Sequence, residues 1–119
     1  MITQEDIDAF AGMMDVNTQD YSYWVEAKIV TEGETRLVEN TLGLVGEAGE
    51  VAEKIKKMLR DSNRISSDEI VKELGDVVFY ATAIANYFNS DLTEVLQVNM
   101  EKLNSRAKRG VIKGSGDNR

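Results

Sequence analysis

The sequence predicts an all-α fold, a bundle of four to five helices. Proline, the residue that breaks helices most strongly, is absent from all 119 residues. Few segments alternate apolar and polar residues for long, whereas several repeat apolar residues every three or four positions, as a helix with one buried face does. The length is that of one domain, which we expect to span residues 1–119.

Two helices are expected in the N-terminal part, residues 1–35. The first covers about residues 4–14 and ends in the polar stretch 15–20. The second carries Tyr21, Trp24, Ala27 and Ile29, and the segment around Gly33 interrupts the pattern.

A long helix follows from about Arg36 to Leu59, and the capping sequence at residues 66–69 begins another that reaches about Phe88. Both show a helical apolar period at about 100° per residue. The stripe expected to be buried on the first comprises Val38, Thr41, Val45, Ala48, Ala52, Ile55 and Leu59. The stripe expected to be buried on the second comprises Ile70, Leu74, Val77, Val78, Ala81, Ile84 and Ala85.

A last helix is predicted between a cap at Asp91 and a point before Gly110. Its Asn99, Lys102 and Arg106 share one face, because steps of three and four residues return to nearly the same angle. These side chains suit phosphate oxygens, although the two cations would equally complement the negative C-terminal end of the helix.

The tail, residues 110–119, contains three glycines and no helical period. It is expected to be flexible or to order around a ligand. Its Lys113, Asp117 and Arg119 could close over phosphates, or could be disordered ends.

Composition narrows the possible chemistry. The chain has no cysteine and no histidine, so acid–base or metal chemistry must come from carboxylates, lysines, tyrosines and water. Hard oxygen ligands favour magnesium or manganese over zinc. The formal charge of -7 argues against binding to nucleic-acid polymers, because that affinity comes from lysine and arginine.

A membrane location is not expected. No apolar run approaches the roughly 20 residues that a membrane span needs. The acidic N-terminus, MITQEDIDAF, lacks the basic start and the apolar stretch of a signal peptide. We therefore expect a cytoplasmic protein.

Two pairs of carboxylates three residues apart are the strongest chemical signal. Glu47 and Glu50 lie in GEAGEVAE, and Glu73 and Asp76 lie in KELGDVVF. Residues at this spacing project from neighbouring turns of one helical face, where like charges repel unless a cation joins them. If the two helices pack antiparallel, the four carboxylates converge and could bind a metal ion. A single pair of this kind is common on solvated helix faces and means little.

Glycines inside both helices support a close approach. Gly43, Gly46 and Gly49 lie in one helix and Gly75 in the other, although each costs about 1 kcal/mol relative to alanine. They indicate that the backbone meets either another helix or a ligand there.

The segment GLVGEAGEVAEKIKK, followed by KELGDVVFYATAIA, resembles the MazG nucleotide pyrophosphohydrolases of the all-α NTP pyrophosphatase superfamily. That family carries E-x-x-E on one helix and E-x-x-D on the next, and Glu47, Glu50, Glu73 and Asp76 occupy all four positions. NMEKLNSR resembles the family element N-x-x-K-L-x-x-R, and GSGDNR is similar to the tails of some members. Many members carry a second glutamate before the first ligand, where this chain has Gly46. The likeness covers most of residues 36–110 and is less distinctive before them.

The resemblance implies a nucleoside triphosphate pyrophosphohydrolase, which releases monophosphate and pyrophosphate. It makes the four carboxylates both the catalytic residues and the ligands of Mg²⁺, with Mn²⁺ as a possible substitute. Either Glu47 or Glu50 could accept a proton from the attacking water, and their spacing does not decide which. The catalytic helical core would then be residues 36–109, with only one copy of the module in the chain.

Six residues are predicted to bind the substrate: Trp24, Lys54, Tyr80, Asn99, Lys102 and Arg106. Lys54 could reach the phosphates or form a surface pair with Glu50. Tyr80 could contact the nucleoside or be a half-buried core aromatic. Trp24 could cover the base or belong to the core or to an interface.

Relatives of this kind assemble, so the resemblance implies a homo-oligomer, a tetramer or a dimer. Removal of unwanted nucleotides, called house-cleaning, is the role it suggests. Two alternatives stay open: a narrower dUTP or dCTP pyrophosphatase, and a helical interaction module without catalysis.

Overall fold

The computed structural model describes residues 3–5, 16–61, 66–111, 113–114 and 116–117. These residues form four α-helices and no strand: α1 (Thr18–Lys28), α2 (Gly33–Asp61), α3 (Ser67–Tyr87) and α4 (Leu92–Arg109). The all-α prediction is thus confirmed for this part of the chain. Most of the first predicted helix, residues 6–14, lies outside the described residues. None of the helices described is long and apolar enough to cross a membrane.

Side-chain caps fix where the helices begin. Ser66 and Glu69 form the predicted capping box of α3, and the Asp91 carboxylate accepts from the backbone N–H of Glu94 at the start of α4. The Asn17 side chain accepts from the N–H of Asp20, so α1 begins inside a polar stretch that the sequence analysis interpreted as a break. The polar residues that interrupt an apolar period also provide the cap.

The long helix α2 packs antiparallel against α3. Lys54 near its end lies beside Glu73 near the start of α3, whereas Arg36 near its start reaches the backbone oxygen of Ala83 near the end of α3. α1 packs against α3 and α4, and α3 also packs against α4. In the described part of the chain α2 and α4 do not pack against each other, so α2 is covered on one side only.

That one-sided packing makes part of the burial prediction wrong. Val38, Val45 and Leu59 of the predicted buried stripe are 55%, 65% and 74% exposed. The residues of α2 that are buried or half-buried form the neighbouring face, where the apolar Leu37, Leu44 and Val51 alternate with polar residues. The predicted stripe lies beside this face and is turned away from α3. On α3, Leu74 and Val78 are also exposed, while Ala85 is buried as predicted.

Arg36 and Glu26 join three helices. The two terminal guanidinium nitrogens of Arg36 donate to the two carboxylate oxygens of Glu26 at 2.7 and 2.6 Å. Asn86 of α3 donates to the same carboxylate at 3.2 Å. The hydrogen bonds from Arg36 are the main cause that lowers the pKa of Glu26 below its ordinary value of 4.5. Planar two-bond pairs of this kind are among the stronger ion pairs in proteins.

We expect Glu26→Gln to lower the free energy of unfolding by about 1–2 kcal/mol at pH 7, because Arg36 loses its charged partner. The folded-state pKa of Glu26 lies below the unfolded one. The stabilisation is therefore present above the ordinary pKa and is lost as pH falls through the lowered value. Urea denaturation of both proteins at neutral and acid pH measures this. Glu39→Gln, at an exposed position on α2, is the control. Equal stability of Glu26→Gln and the unmodified chain at pH 7 would contradict the prediction.

Candidate metal centre

The antiparallel packing of α2 and α3 brings three predicted ligands together. One carboxylate oxygen each of Glu47, Glu73 and Asp76 lies within 4.8 Å of the others. Glu47 and Glu73 are half-buried and Asp76 is exposed. Glu50 is exposed and lies outside this three-carboxylate cluster. Glu73 and Asp76 have the same three-residue spacing and both belong to the cluster, so the position of Glu50 reflects how α2 is turned toward α3 and not the spacing itself.

Glu47 carries the electrostatic signature of this cluster of like charges. The pKa of Glu47 is raised above its ordinary value, first by its hydrogen bond to Glu73 and then by burial. The negative charges of Asp76, Glu73 and Glu50 raise it further. A proton between two carboxylates therefore relieves part of the repulsion, and a bound cation would do so more completely.

The donor set fits a hard divalent cation. The three converging groups all offer carboxylate oxygens, the ligands that magnesium, manganese and calcium take. The chain contains no histidine or cysteine to favour a softer metal. The cluster of Glu47, Glu73 and Asp76 could therefore bind a metal ion, with Glu50 within electrostatic range of it.

Lys54 supplies a positive charge at the edge of the cluster. Its amine nitrogen lies 3.8 Å from a carboxylate oxygen of Glu73 and 4.0 Å from one of Glu69. The structure thus pairs Lys54 across the helix interface rather than with Glu50 along its own helix. A cation this close partly offsets the repulsion around Glu73, and it also stands near any anion bound to the cluster.

Gly43 lets the two helices meet one turn before the cluster. A Cβ atom at this position would overlap the ring of Tyr80, which lies one turn after Asp76. Tyr80 therefore serves as a half-buried packing residue, with its ring against the backbone of α2. Gly46, Gly49 and Gly75 have no neighbour within 4 Å of a Cβ at their positions, so close helix packing accounts for Gly43 alone.

We expect Gly43→Ala to destabilise the fold by about 1–2 kcal/mol, since overpacking against Tyr80 outweighs the gain in helix propensity. Gly46→Ala is the matched control, because it lies on the same helix and faces open space. It should be neutral or stabilise by up to about 1 kcal/mol. Chemical denaturation of both variants measures the difference, and equal effects would show that Gly43 is not a packing contact.

Aromatic side chains extend from the cluster toward α1. Tyr21 stacks on Trp24, Trp24 meets Phe79 edge-on, and Phe79 meets Tyr80 edge-on, with ring centroids 5.6, 6.0 and 5.4 Å apart. Trp24 is 51% exposed. Burial raises the pKa of Tyr21, and the charge of Asp76 raises it further, so Tyr21 lies near the carboxylates. No functional role was predicted for Tyr21 or Phe79, although the three-residue spacing of Tyr21 and Trp24 puts both on one face of a helix.

The predicted phosphate-binding residues of α4 lie apart from α2. Asn99 and Lys102 line a shallow pocket together with Ser90, Glu94, Val95 and Val98. Lys102 and Arg106 both hydrogen-bond to Asp117 of the tail, a partner that the sequence analysis did not assign to them. Arg119 of the tail lies outside the described residues. The substrate-binding roles of all these residues stay predictions.

Comparison with known proteins places the carboxylate cluster within a known domain family. Residues 37–111 match the MazG nucleotide pyrophosphohydrolase domain, a range that includes all three clustered carboxylates. The chain is also similar to the gene 37 protein of Mycobacterium phage L5, with 52% identity over 83 residues that cover 66% of this chain and 73% of that protein. No solved structure matches the chain significantly. The resemblance found in the sequence motifs is confirmed, and the chain belongs to the MazG nucleotide pyrophosphohydrolase family.

Proposed function

We propose that this protein hydrolyses nucleoside and deoxynucleoside triphosphates to monophosphate and pyrophosphate in a magnesium-dependent reaction. The observation that carries the proposal is the convergence of Glu47, Glu73 and Asp76 between α2 and α3, inside the segment that matches the family domain. A site made only of carboxylates suits a substrate that arrives with divalent cations, because the triphosphate and the carboxylates are both negative.

The three clustered carboxylates would hold Mg²⁺, or Mn²⁺ in its place, with Glu50 as a further ligand. The bound ion supplies neutralisation of the triphosphate and an activated water for attack on the α-phosphorus. Glu50 lies outside the three-carboxylate cluster and is exposed, which also suits it to accept the proton of that water. Glu47 is the alternative acceptor.

The substrate would lie beside the carboxylate cluster. Lys54 is close enough to Glu73 to contact a phosphate oxygen. Trp24 is 51% exposed, but Tyr21 stacks on its ring and the Lys28 amine lies over it, so a base would contact the ring only if Lys28 moved. Tyr80, packed against Gly43, would bound the site on the side of α2. Asn99, Lys102 and Arg106 of α4 would bind phosphate, either in the same chain or across a subunit interface.

A homo-oligomer, a dimer or a tetramer, is part of the proposal. The fully buried apolar core of the described chain is small, with Val25 and Ala83 both 0% exposed. By contrast, Val38, Leu42 and Val45 of α2 are more than half exposed. An exposed apolar stripe along the longest helix is typical of a surface that pairs with another subunit. We propose a second copy of this chain as its partner, and neither a nucleic acid nor a membrane.

The proposal is tested by incubating the protein with magnesium and each common NTP and dNTP separately, then resolving the products chromatographically. We expect monophosphate and pyrophosphate, with turnover lost in EDTA and strongly reduced in Glu50→Gln. One preferred pyrimidine deoxynucleotide would indicate a dUTP or dCTP pyrophosphatase, and several substrates would indicate a house-cleaning enzyme. No turnover of any triphosphate at high enzyme concentration would contradict the proposal and favour an interaction module.

A further inference from the structure

Gly116 and Asp117 of the tail contact the C-terminal part of α4. Gly110 ends the helix with a φ of 73°, a left-handed conformation that glycine adopts readily. The next residue, Val111, donates its N–H to the backbone oxygen of Arg106 at 2.8 Å, which turns the chain away from the helix axis. This turn directs the tail toward the face of α4 that carries Lys102 and Arg106.

Asp117 then contacts both cations of that face. One carboxylate oxygen accepts from the Lys102 amine at 3.1 Å and from the Arg106 guanidinium at 3.3 Å. The backbone oxygen of Gly116 accepts from the same guanidinium nitrogen of Arg106 at 3.2 Å. The hydrogen bonds from Lys102 and then from Arg106 lower the pKa of Asp117, so its carboxylate is ionised at neutral pH.

These contacts leave the two cations unequally accessible. The side chain of Arg106 is 4% exposed, and its Nε has no hydrogen-bond partner among the described residues. The side chain of Lys102 is 34% exposed. A phosphate can therefore approach Lys102 from solvent, whereas one guanidinium nitrogen of Arg106 already donates to Asp117 and to the backbone oxygen of Gly116.

We infer that Asp117 is a tethered competitor for the anion site of Lys102 and Arg106, so that a polyphosphate binds both cations by displacing the tail. The inference rests on the proposed function in one respect, which is that the polyphosphate is identified as the triphosphate of the substrate. A carboxylate and a phosphate oxygen accept the same charge-assisted hydrogen bonds from lysine and arginine, which makes the two interchangeable at this site.

The balance of charges permits this exchange. The side chain of Asp117 is 81% exposed and brings one negative charge, and ion pairs exposed to this degree are weak. A triphosphate brings several charges and several acceptor oxygens to the same two cations. Tethering keeps the carboxylate near the site at a high effective concentration, so even a weak ion pair holds Asp117 at the two cations for part of the time when the ligand is absent.

If Asp117 competes with phosphate, removing its charge should strengthen phosphate binding. If Asp117 only holds the tail in place, removing its charge should weaken phosphate binding or leave it unchanged. The decisive measurement is calorimetric binding of inorganic tripolyphosphate in EDTA, where a metal bridge to the carboxylate cluster is excluded. We expect Asp117→Asn to lower the Kd about two- to fivefold relative to the unmodified chain. Glu101→Gln makes the same charge change at an exposed position beside Lys102 and should alter the Kd less. The inference is wrong if Asp117→Asn and Glu101→Gln have the same Kd, or if the Kd of Asp117→Asn exceeds that of the unmodified chain. It is also wrong if tripolyphosphate binds to none of the proteins.

Movement of the tail is measured separately. The chain has no cysteine, so Lys113→Cys provides one site for a fluorescent label on the exposed part of the tail. Tripolyphosphate should lower the label's anisotropy in the unmodified background and change it little when Asp117→Asn is also present. An anisotropy that does not respond to saturating tripolyphosphate contradicts displacement of the tail.

The two proposals fail in different ways. Tail release by tripolyphosphate without hydrolysis of any nucleotide would support competition by Asp117 and contradict the proposed function. Hydrolysis of nucleotides with an immobile tail and an unchanged KM in Asp117→Asn would support the proposed function and contradict competition by Asp117.

Discussion

Glu73→Gln is expected to reduce nucleotide turnover by about 100-fold or more and to abolish stabilisation by magnesium. Glu73 is one of the three clustered carboxylates, and it forms an ion pair with Lys54. A carboxylate ligand contributes to metal affinity and to the neutralisation of the substrate, effects that together amount to several kcal/mol. Initial rates with magnesium, measured together with thermal unfolding at rising magnesium concentration, give both quantities.

The unmodified chain should unfold at a higher temperature as magnesium is added, because a ligand of the folded state stabilises it by mass action. Glu53→Gln is the control: it removes a carboxylate of α2 that lies outside the cluster and pairs with Lys57 along the same helix. It should keep both turnover and the magnesium effect. Wild-type turnover in Glu73→Gln, or an unchanged response to magnesium, would show that the cluster is not the metal site.

Val45→Lys is expected to convert the proposed homo-oligomer into monomers, with a loss of self-association of about 100-fold or more. Val45 is 65% exposed in the single chain, so the substitution introduces no charge into its own core. At a packed interface between subunits, the substitution would remove a buried apolar side chain and place an unpaired charge among apolar groups. Sedimentation velocity over a range of protein concentrations measures the change directly.

Gln97→Lys, at an exposed position on α4, makes the same charge change away from the stripe and should leave the assembly intact. Circular dichroism of both variants checks that the helices remain folded. If the unmodified chain is monomeric at every concentration, the stripe on α2 has another role and the proposed assembly is wrong.

Local features of the fold were predictable because their causes are local. The capping box at Ser66 and Glu69 lies within four residues, and the absence of proline together with the helical period gives the fold class. Carboxylates at a spacing of three on two neighbouring helices also predicted that four side chains would converge, and Glu47, Glu73 and Asp76 do so while Glu50 lies outside the cluster. Antiparallel packing of consecutive helices was the only additional assumption.

The rest depends on which face of a helix meets which neighbour, and periodicity does not contain that information. On α2 the predicted apolar stripe, with Val38 and Val45, is exposed, whereas Gly43 lies in the contact with α3. An apolar period predicts that a face will be buried, but the partner can be another chain. The contact between Asp117 and Lys102 escaped prediction for a related reason, because it joins a segment without periodicity to a helix.

The most direct test of the central claim is to run the reaction in ¹⁸O-labelled water and locate the label by mass spectrometry. Attack of water on the α-phosphorus predicts one labelled oxygen in the nucleoside monophosphate and none in the pyrophosphate. Label in the pyrophosphate, or products that are diphosphate and inorganic phosphate, would contradict the proposed reaction.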